Sequence, residues 1–580
     1  MPNNLKTNYE IDKNCPLAEY PRPQFVRDSY LCLNGKWSFA IRKVGEELGA
    51  YDKQIIVPFS PESANSGLGE NIKVLVNDRL YYQREFEIDK SWIGGVTLLH
   101  FGAVDYSCEV FVNGKRVGSH EGGFTAFCFN VAMHLVEGVN TITVIASDST
   151  HLSGGGRGKQ NLNPGGYWYT AQSGIWQTVW MEHLPHNYIH SIDYIPDFEN
   201  NVMNINIDYS GLKKYTVYDG DKVILQGESE GNLRLEYDFI AWSPENPKLY
   251  NVKFVCGEDK VKSYFAMRSF SIVTDKYGKK RLGLNGKPYF FSGLLDQGYW
   301  PDGLLTYPSD KAIIDEIAWV KRMGFNTLRK HIKIEPLRWY YHCDKMGIIV
   351  WQDFVNGGGE YKFANVALFP FLGILHRDDD YKYFSREDEK GRKRFIYEWQ
   401  ETVNQLKNCP CIYMWTVFNE GWGQFDSKKI ERAVKITDPT RIVESVSGWH
   451  DYKKQCDIRS IHNYYFPLRV PKDSRPVTLS EFGGYALKVA GHIFSDDKSF
   501  SYRAYKTQPK FANALKKLYL NKVAPLIKKG LSACIYTQVS DVEEEINGLI
   551  TYDRMVAKID EKEMKQLNDA LYSEANKINE

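Results

Sequence analysis

Over roughly the first 185 residues, apolar side chains alternate with polar ones or gather in short runs, and each run breaks at glycine, asparagine or aspartate. RLYYQREFEI (79–88), VTLLHFGAV (96–104), CEVFVNGKRVG (108–118) and NTITVIASD (140–148) are the clearest runs. Asn113-Gly114 inside the third is a hairpin signal. No long period of 3.6 interrupts them, so residues 1–185 are predicted to form an antiparallel β-sandwich of the jelly-roll kind. SGGGRGKQNLNPGGYWYT (153–170) is too rich in glycine for a strand and predicts a long loop carrying aromatics. Residues 186–275 keep the β rhythm in INIDYSG, YTVYDGDKVILQGE, LRLEYDF and LYNVKFVC, which predicts an immunoglobulin-like sandwich.

After Lys276 apolar β-runs alternate with amphipathic helical stretches, the pattern of βα units around a parallel sheet. Ser309 is an N-cap for DKAIIDEIAWVKRMG, whose Ile313, Ile314, Ile317 and Val320 share a face, and Gly324 sits where the helix should stop. Eight candidate strands follow one another: YFFSGLLDQ, FNTLRKH, IIVWQDF, CIYMWTVFNE, RIVESVSGW, IRSIHNYY, PVTLSEFGG and LSACIYTQVSD. Eight repeats over residues 276–580 predict a closed (β/α)₈ barrel, although the helix between the fifth and sixth strands is weakly marked.

In such a barrel chemistry gathers at the C-terminal strand ends. Here those ends read Asp296-Gln297, Arg329-Lys330-His331, Gln352-Asp353, Asn419-Glu420, Trp449-His450-Asp451, His462-Asn463-Tyr464-Tyr465, Ser480-Glu481, Gln538 and Asp541, while the strand bodies are aliphatic and aromatic. An inert barrel has no reason to concentrate hydrogen-bonding groups on one rim. Glu420 and Glu481 both follow apolar runs and both precede glycine within three residues. Two carboxylates on one rim suit cleavage of a glycosidic bond: one keeps its proton for the leaving oxygen while the other is ionised.

The domain order and several stretches resemble glycoside hydrolase family 2, the family of β-galactosidases, β-glucuronidases and β-mannosidases. The stretches are NGKWSFAI (34–41), VFVNGKRVGSHEGGFTAF (110–127), SGIWQTVWME (173–182), FNEGWGQ (418–424) and LSEFGG (479–484). The resemblance implies that the first sandwich is sugar-binding-like, Glu420 is the general acid/base and Glu481 the nucleophile. It implies further that Asn419 holds the sugar 2-hydroxyl, Tyr464 hydrogen-bonds the nucleophile and Arg329 orients it. Asp353, His331, His450 and His462 join the substrate-binding candidates, the histidines being either sugar contacts or satisfied rim residues. Trp415 and Trp422 either shape the pocket or fill core.

The resemblance is incomplete. β-Glucuronidases carry an Asn-x-Lys signature near the last strand; the comparable EEEINGLITYDR has leucine at position 549 and three glutamates beside it. That crowd of acids is expected to repel a uronate, unless Lys330 or Lys333 compensates. A neutral hexoside, galactoside first, is the expected substrate, in a retaining exo-β-glycosidase. β-Glucuronidase or β-mannosidase activity, or a non-catalytic glycan-binding protein, are the alternatives.

The totals narrow the partners. With 73 basic against 72 acidic residues the chain has no field for a polyanion, so nucleic acid is not expected. The N-terminus lacks the apolar core of an export signal and no segment is long and apolar enough to span a bilayer, so a cytoplasmic protein with no membrane partner is expected. The ten cysteines are irregularly spaced, and Cys409 and Cys411 open an apolar strand, so they are read as packing. Neither a metal nor a cofactor is expected; homo-oligomerisation is compatible with the sequence.

Overall fold

The computed structural model describes residues 4–69, 72–152, 154–451 and 456–579. Two sheets form the N-terminal sandwich: a four-stranded one containing 96–101 and 179–184, and a six-stranded one running 53–57, 35–43, 78–88, 138–147, 107–112 and 115–121. Their inner faces interdigitate through Trp37, Phe39, Tyr82, Leu99, Val110 and Val144. Asn113 and Gly114 both adopt positive φ, 49° and 74°, and turn the hairpin between 107–112 and 115–121. A second sandwich packs a three-stranded sheet (192–197, 202–207, 233–236) against a four-stranded one (222–229, 213–219, 250–256, 259–265) over Met203, Ile205, Phe254 and Phe265.

The rest of the chain is a (β/α)₈ barrel. Its strands are β1 Phe291–Asp296, β2 Thr327–Lys330, β3 Ile349–Asp353, β4 Ile412–Asn419, β5 Ile442–Ser447, β6 Arg459–Asn463, β7 Val477–Gly483 and β8 Leu531–Thr537. They pair in parallel from β5 back through β1 and on through β8 and β7 to β6. At the seam between β5 and β6 the Ser447 hydroxyl meets that of Ser460 at 3.2 Å. No helix lies between these two strands among the described residues.

The helix after β1 is α1, Asp310–Arg322. Its Ser309 cap accepts from the Ala312 amide, and Gly324 follows with φ 84°. Ile313, Ile317 and Val320 face inward, but Ile314 is partly exposed, because the apolar stripe is narrower than four residues. α2 (Leu337–Met346), α3 (Glu389–Leu406) and α4 (Ser427–Thr437) follow β2, β3 and β4.

The barrel core continues into the N-terminal sandwich through Phe124, Tyr169 and Trp176. Trp176 is fully buried, with its indole N–H donated to Gly123 O at 2.7 Å. Burying one such ring contributes roughly 4–6 kcal/mol of transfer free energy, enough to seat the sandwich firmly on the barrel. No helix among the described residues is long and apolar enough to cross a membrane.

Candidate active site

β4 ends at Asn419, and Glu420 then takes a left-handed conformation, φ 51°, with its amide donated to Ser447 O at 2.9 Å. A side chain in that region costs on the order of 1–3 kcal/mol. The turn carries Asn419 and Glu420 to the same cavity although they are neighbours in sequence. Gly423, φ 62°, completes it: a Cβ there would run into Gly357 O.

β7 solves a similar problem by irregularity. Its register slips against both β6 and β8 around residues 479–482. Side chains in a regular strand alternate, so two consecutive residues facing the lumen need such a slip. The Ser480 hydroxyl bonds to those of Ser460 and Ser447 inside the barrel, and the next residue, Glu481, opens into the cavity.

Carboxylate oxygens of Glu420 and Glu481 and Nδ1 of His462 lie within 4.8 Å of one another. Two carboxylates and an imidazole are also a donor set that a divalent cation could occupy. Arg329 lies beneath them, fully buried. It donates from Nε and Nη2 to the two oxygens of Asp353, both at 3.0 Å, from Nη2 to Asn419 Oδ1 at 2.8 Å and from Nη1 to Glu481 Oε1 at 3.1 Å. Tyr464 donates its hydroxyl to Glu481 Oε2. His462 Nδ1 is 2.7 Å from Glu420 Oε1.

These partners push the two acids apart. Burial raises Glu420 above its ordinary value and the neighbouring charge of Glu481 raises it further, against the opposing pull of His462. Burial would also raise Glu481, but His462, Arg329 and the Tyr464 hydrogen bond outweigh it and hold the carboxyl below its ordinary value. The two neighbouring carboxyls are thereby offset in opposite directions, Glu420 toward holding its proton and Glu481 toward losing it.

The cavity over these groups has a volume of about 230 Å³. Asn419, Glu420, Glu481, Tyr464 and His331 line it, together with Trp422. The Asn419 Nδ2 group is buried and finds no acceptor among the described residues, so it is free to donate to something bound there. Asp353 stays behind Arg329 and also holds His331 Nδ1 at 3.0 Å, a supporting position rather than a lining one.

Trp415 and His450 do not reach the cavity. Trp415 is fully buried against Phe354 and donates Nε1 to Asp438 Oδ2 at 3.0 Å; it is core. His450 packs edge-on against Phe384, and its Nδ1 accepts from the His376 amide. Lys330 and Lys333 are both tied up by Glu335, so neither supplies charge to the cavity.

The cation that does line it, Lys159, comes from the N-terminal sandwich. It sits on the glycine-rich loop with Tyr167, and the three glutamates after β8 hold that loop. Gly166 N donates to Glu544 at 2.9 Å, Thr170 N to Glu543 at 2.9 Å and the Tyr169 hydroxyl to Glu545 at 2.6 Å. All three acids expected to repel a substrate therefore take part in docking a loop, and of the three Glu545 alone also lines the cavity, 3.6 Å from the Lys159 ammonium. Composition flagged the loop but could not tell which of its residues point inward. Tyr502, stacked flat on Tyr464 at 3.5 Å, and the apolar segment carrying Phe363 and Val366 also line the cavity and carry no sequence signal of their own. A larger cavity, about 550 Å³, opens between the sandwiches and the barrel beside Arg22, His100, Trp180 and Asn404, but none of the Arg329 network reaches it.

Residues 69–185 match the family model described as the glycosyl hydrolases family 2 sugar binding domain, and residues 277–567 match the TIM barrel domain of that family. The chain belongs to glycoside hydrolase family 2. Among curated proteins, a β-galactosidase of Thermoanaerobacter pseudethanolicus is 22% identical over 414 residues, covering 67% of this chain and 51% of that protein. One from Yersinia enterocolitica is 23% identical over 471 residues, covering 70% and 42%. The chain thus spans about half the length of the curated relatives it matches. A solved β-D-glucuronidase of Dictyoglomus thermophilum shares the fold with TM-score 0.73 at 19% identity, covering 95% of this chain and 98% of that one. A β-galacturonidase of Eisenbergiella tayi bound to galacturonate gives 0.69 at 18%, covering 96% and 99%.

Proposed function

We propose that the protein is a retaining exo-β-glycosidase that removes a terminal, neutral β-linked hexose. The observation carrying this is the convergence of Glu420 and Glu481 to within 4.8 Å with opposite shifts in acidity, close to the separation of about 5–5.5 Å that lets one carboxylate attack directly. Ionised Glu481 attacks the anomeric carbon as the bond to the leaving oxygen breaks, and that oxygen takes the proton of Glu420. The product is a glycosyl ester on Glu481. Glu420, now a carboxylate, takes a proton from water; the water oxygen attacks the anomeric carbon and the ester breaks with net retention. Asn419, through its unpaired Nδ2, holds the sugar 2-hydroxyl, while Arg329 and Tyr464 keep the nucleophile ionised and aimed. The sandwich loop closes the cavity to about the room of a terminal sugar, which favours cleavage from a chain end.

The neutral sugar follows from Glu545. It stands beside Lys159, so the pair offers hydroxyl groups a donor and an acceptor, and a sugar carboxylate entering there would meet Glu545. β-Galactosides are the first candidates because relatives of that name match about two thirds of the chain. A uronide is the second reading, favoured by the Lys159 ammonium in the cavity. Nitrophenyl β-galactoside, glucoside, mannoside, glucuronide, galacturonide and arabinoside decide between them. Hydrolysis of a neutral hexoside supports the first reading, turnover of a uronide alone the second. Glu481→Gln should lower turnover by several orders of magnitude in a folded protein; ordinary activity in that variant would remove the nucleophile and the proposal with it.

A further inference from the structure

His462 is placed between the two carboxylates with both ring nitrogens engaged. Its side chain is fully buried, and the ring lies against Gly448, where a Cβ would come within 2.7 Å of it. Nε2 faces the Ser447 hydroxyl at 3.0 Å and Arg329 Nη1 at 3.4 Å. A guanidinium can only donate, so Nε2 is the nitrogen that accepts and Nδ1 carries the hydrogen. That N–H points at Glu420 Oε1, 2.7 Å away, and lies 3.5 Å from Glu481 Oε1.

We propose that His462 is a positioning residue that fixes which oxygen of Glu420 bears the transferable proton. The inference rests on the acid/base assignment of Glu420 made above. With Oε1 occupied by the imidazole N–H, the proton sits on Oε2, the oxygen left to meet the glycosidic oxygen. When Glu420 later returns as a carboxylate, the same N–H steadies Oε1 while Oε2 takes a proton from water. The histidine exchanges no proton in either step; it selects the oxygen that does.

The test compares phenyl and dinitrophenyl glycosides of the best sugar. A phenolate leaving group needs the acid, and dinitrophenolate does not. His462→Gln, whose amide reaches toward the Nε2 position, should lower the phenyl-to-dinitrophenyl ratio of kcat/KM about tenfold or more, part of the 10²–10⁴ that general acid catalysis supplies. Because the N–H to Glu420 favours its ionised form, losing it should also move the alkaline limb of kcat/KM to higher pH. His462→Asn, which can present an N–H near the Nδ1 position, should restore both the ratio and the limb. Equal loss on both substrates with an unmoved limb, or identical behaviour of the two variants, would overturn the role. That outcome leaves the wider reading standing, since the wider reading is tested separately by Glu481→Gln and by the nitrophenyl glycoside panel.

Discussion

Tyr169, on a loop of the N-terminal sandwich, donates its hydroxyl hydrogen to Glu545, on the loop after the last barrel strand, at 2.6 Å with both groups buried. The candidate cavity is therefore walled by loops of both the sandwich and the barrel, and beside the buried contacts around Trp176 the glycine-rich loop is held there by hydrogen bonds to Glu543, Glu544 and Glu545.

Tyr169→Phe removes one of those bonds without changing the ring. Among the described residues it leaves Glu545 Oε2 the more distant Lys159 ammonium, 3.6 Å away. An unsatisfied buried acceptor costs about 1–3 kcal/mol, drawn here from the seating of the loop. KM for the preferred aryl glycoside should rise, and limited proteolysis within 154–170 should speed up. A wild-type KM with unchanged proteolysis would show that the loop is held by its other contacts alone.

Activity should follow a bell in pH. Glu481 is held below its ordinary value of 4.5, so activity falls on the acid side only as pH descends through that lowered value. Glu420 is raised above 4.5 and must keep its proton, so activity falls on the alkaline side as pH climbs through the raised value. The limbs belong to the pair rather than to either residue. Stability carries a related sign. A carboxyl depressed in the folded state stabilises above its unfolded value and loses that contribution as pH drops through the folded one. Glu481→Gln should therefore flatten part of the acid-side decline in unfolding temperature, measured by calorimetry at several pH values.

The barrel is legible in sequence because its strands are apolar runs that stop at polar pairs, and all eight expected runs contain a strand of the sheet. Asn419, Glu420, Tyr464 and Glu481 are legible for the same reason: strand ends are where a parallel barrel puts its chemistry. Lys159, Tyr167 and Glu545 are not. They belong to loops without periodicity, and their inward aim depends on hydrogen bonds between segments nearly 400 residues apart, such as Gly166 to Glu544. Asp353 reads as a rim carboxylate, yet the buried Arg329 fork claims both its oxygens.

That fork sets a third prediction. Arg329 reaches Asp353, Asn419 and Glu481 with one rigid plane. Arg329→Lys keeps the charge, but an ammonium on a flexible stem cannot hold three partners at those angles. Misplacing a reacting group by about 1 Å can cost roughly 100-fold, so kcat should fall by at least that factor. Far-ultraviolet circular dichroism should report an intact fold. A lysine variant within a few-fold of wild type would mean that charge alone matters at this position.

Two tryptophans that flank Asn419 and Glu420 in sequence, Trp415 and Trp422, should behave in opposite ways. Trp415 is sealed in the core with its indole N–H on Asp438, whereas Trp422 lines the cavity among Tyr167, Trp168 and Tyr361. Trp415→Phe forfeits a buried hydrogen bond and some packing, a loss of about 1–3 kcal/mol. It should lower the urea midpoint of unfolding with little change in KM. Trp422→Leu removes an aromatic face from the sugar's surroundings and should raise KM severalfold, with a smaller effect on the midpoint. Sugar rings pack their C–H faces on such surfaces, so a lost plane weakens binding more than folding. Measuring both variants by denaturation and steady-state kinetics separates the two roles. If Trp415→Phe changed KM as much as Trp422→Leu, Trp415 would belong to the cavity wall rather than to the core.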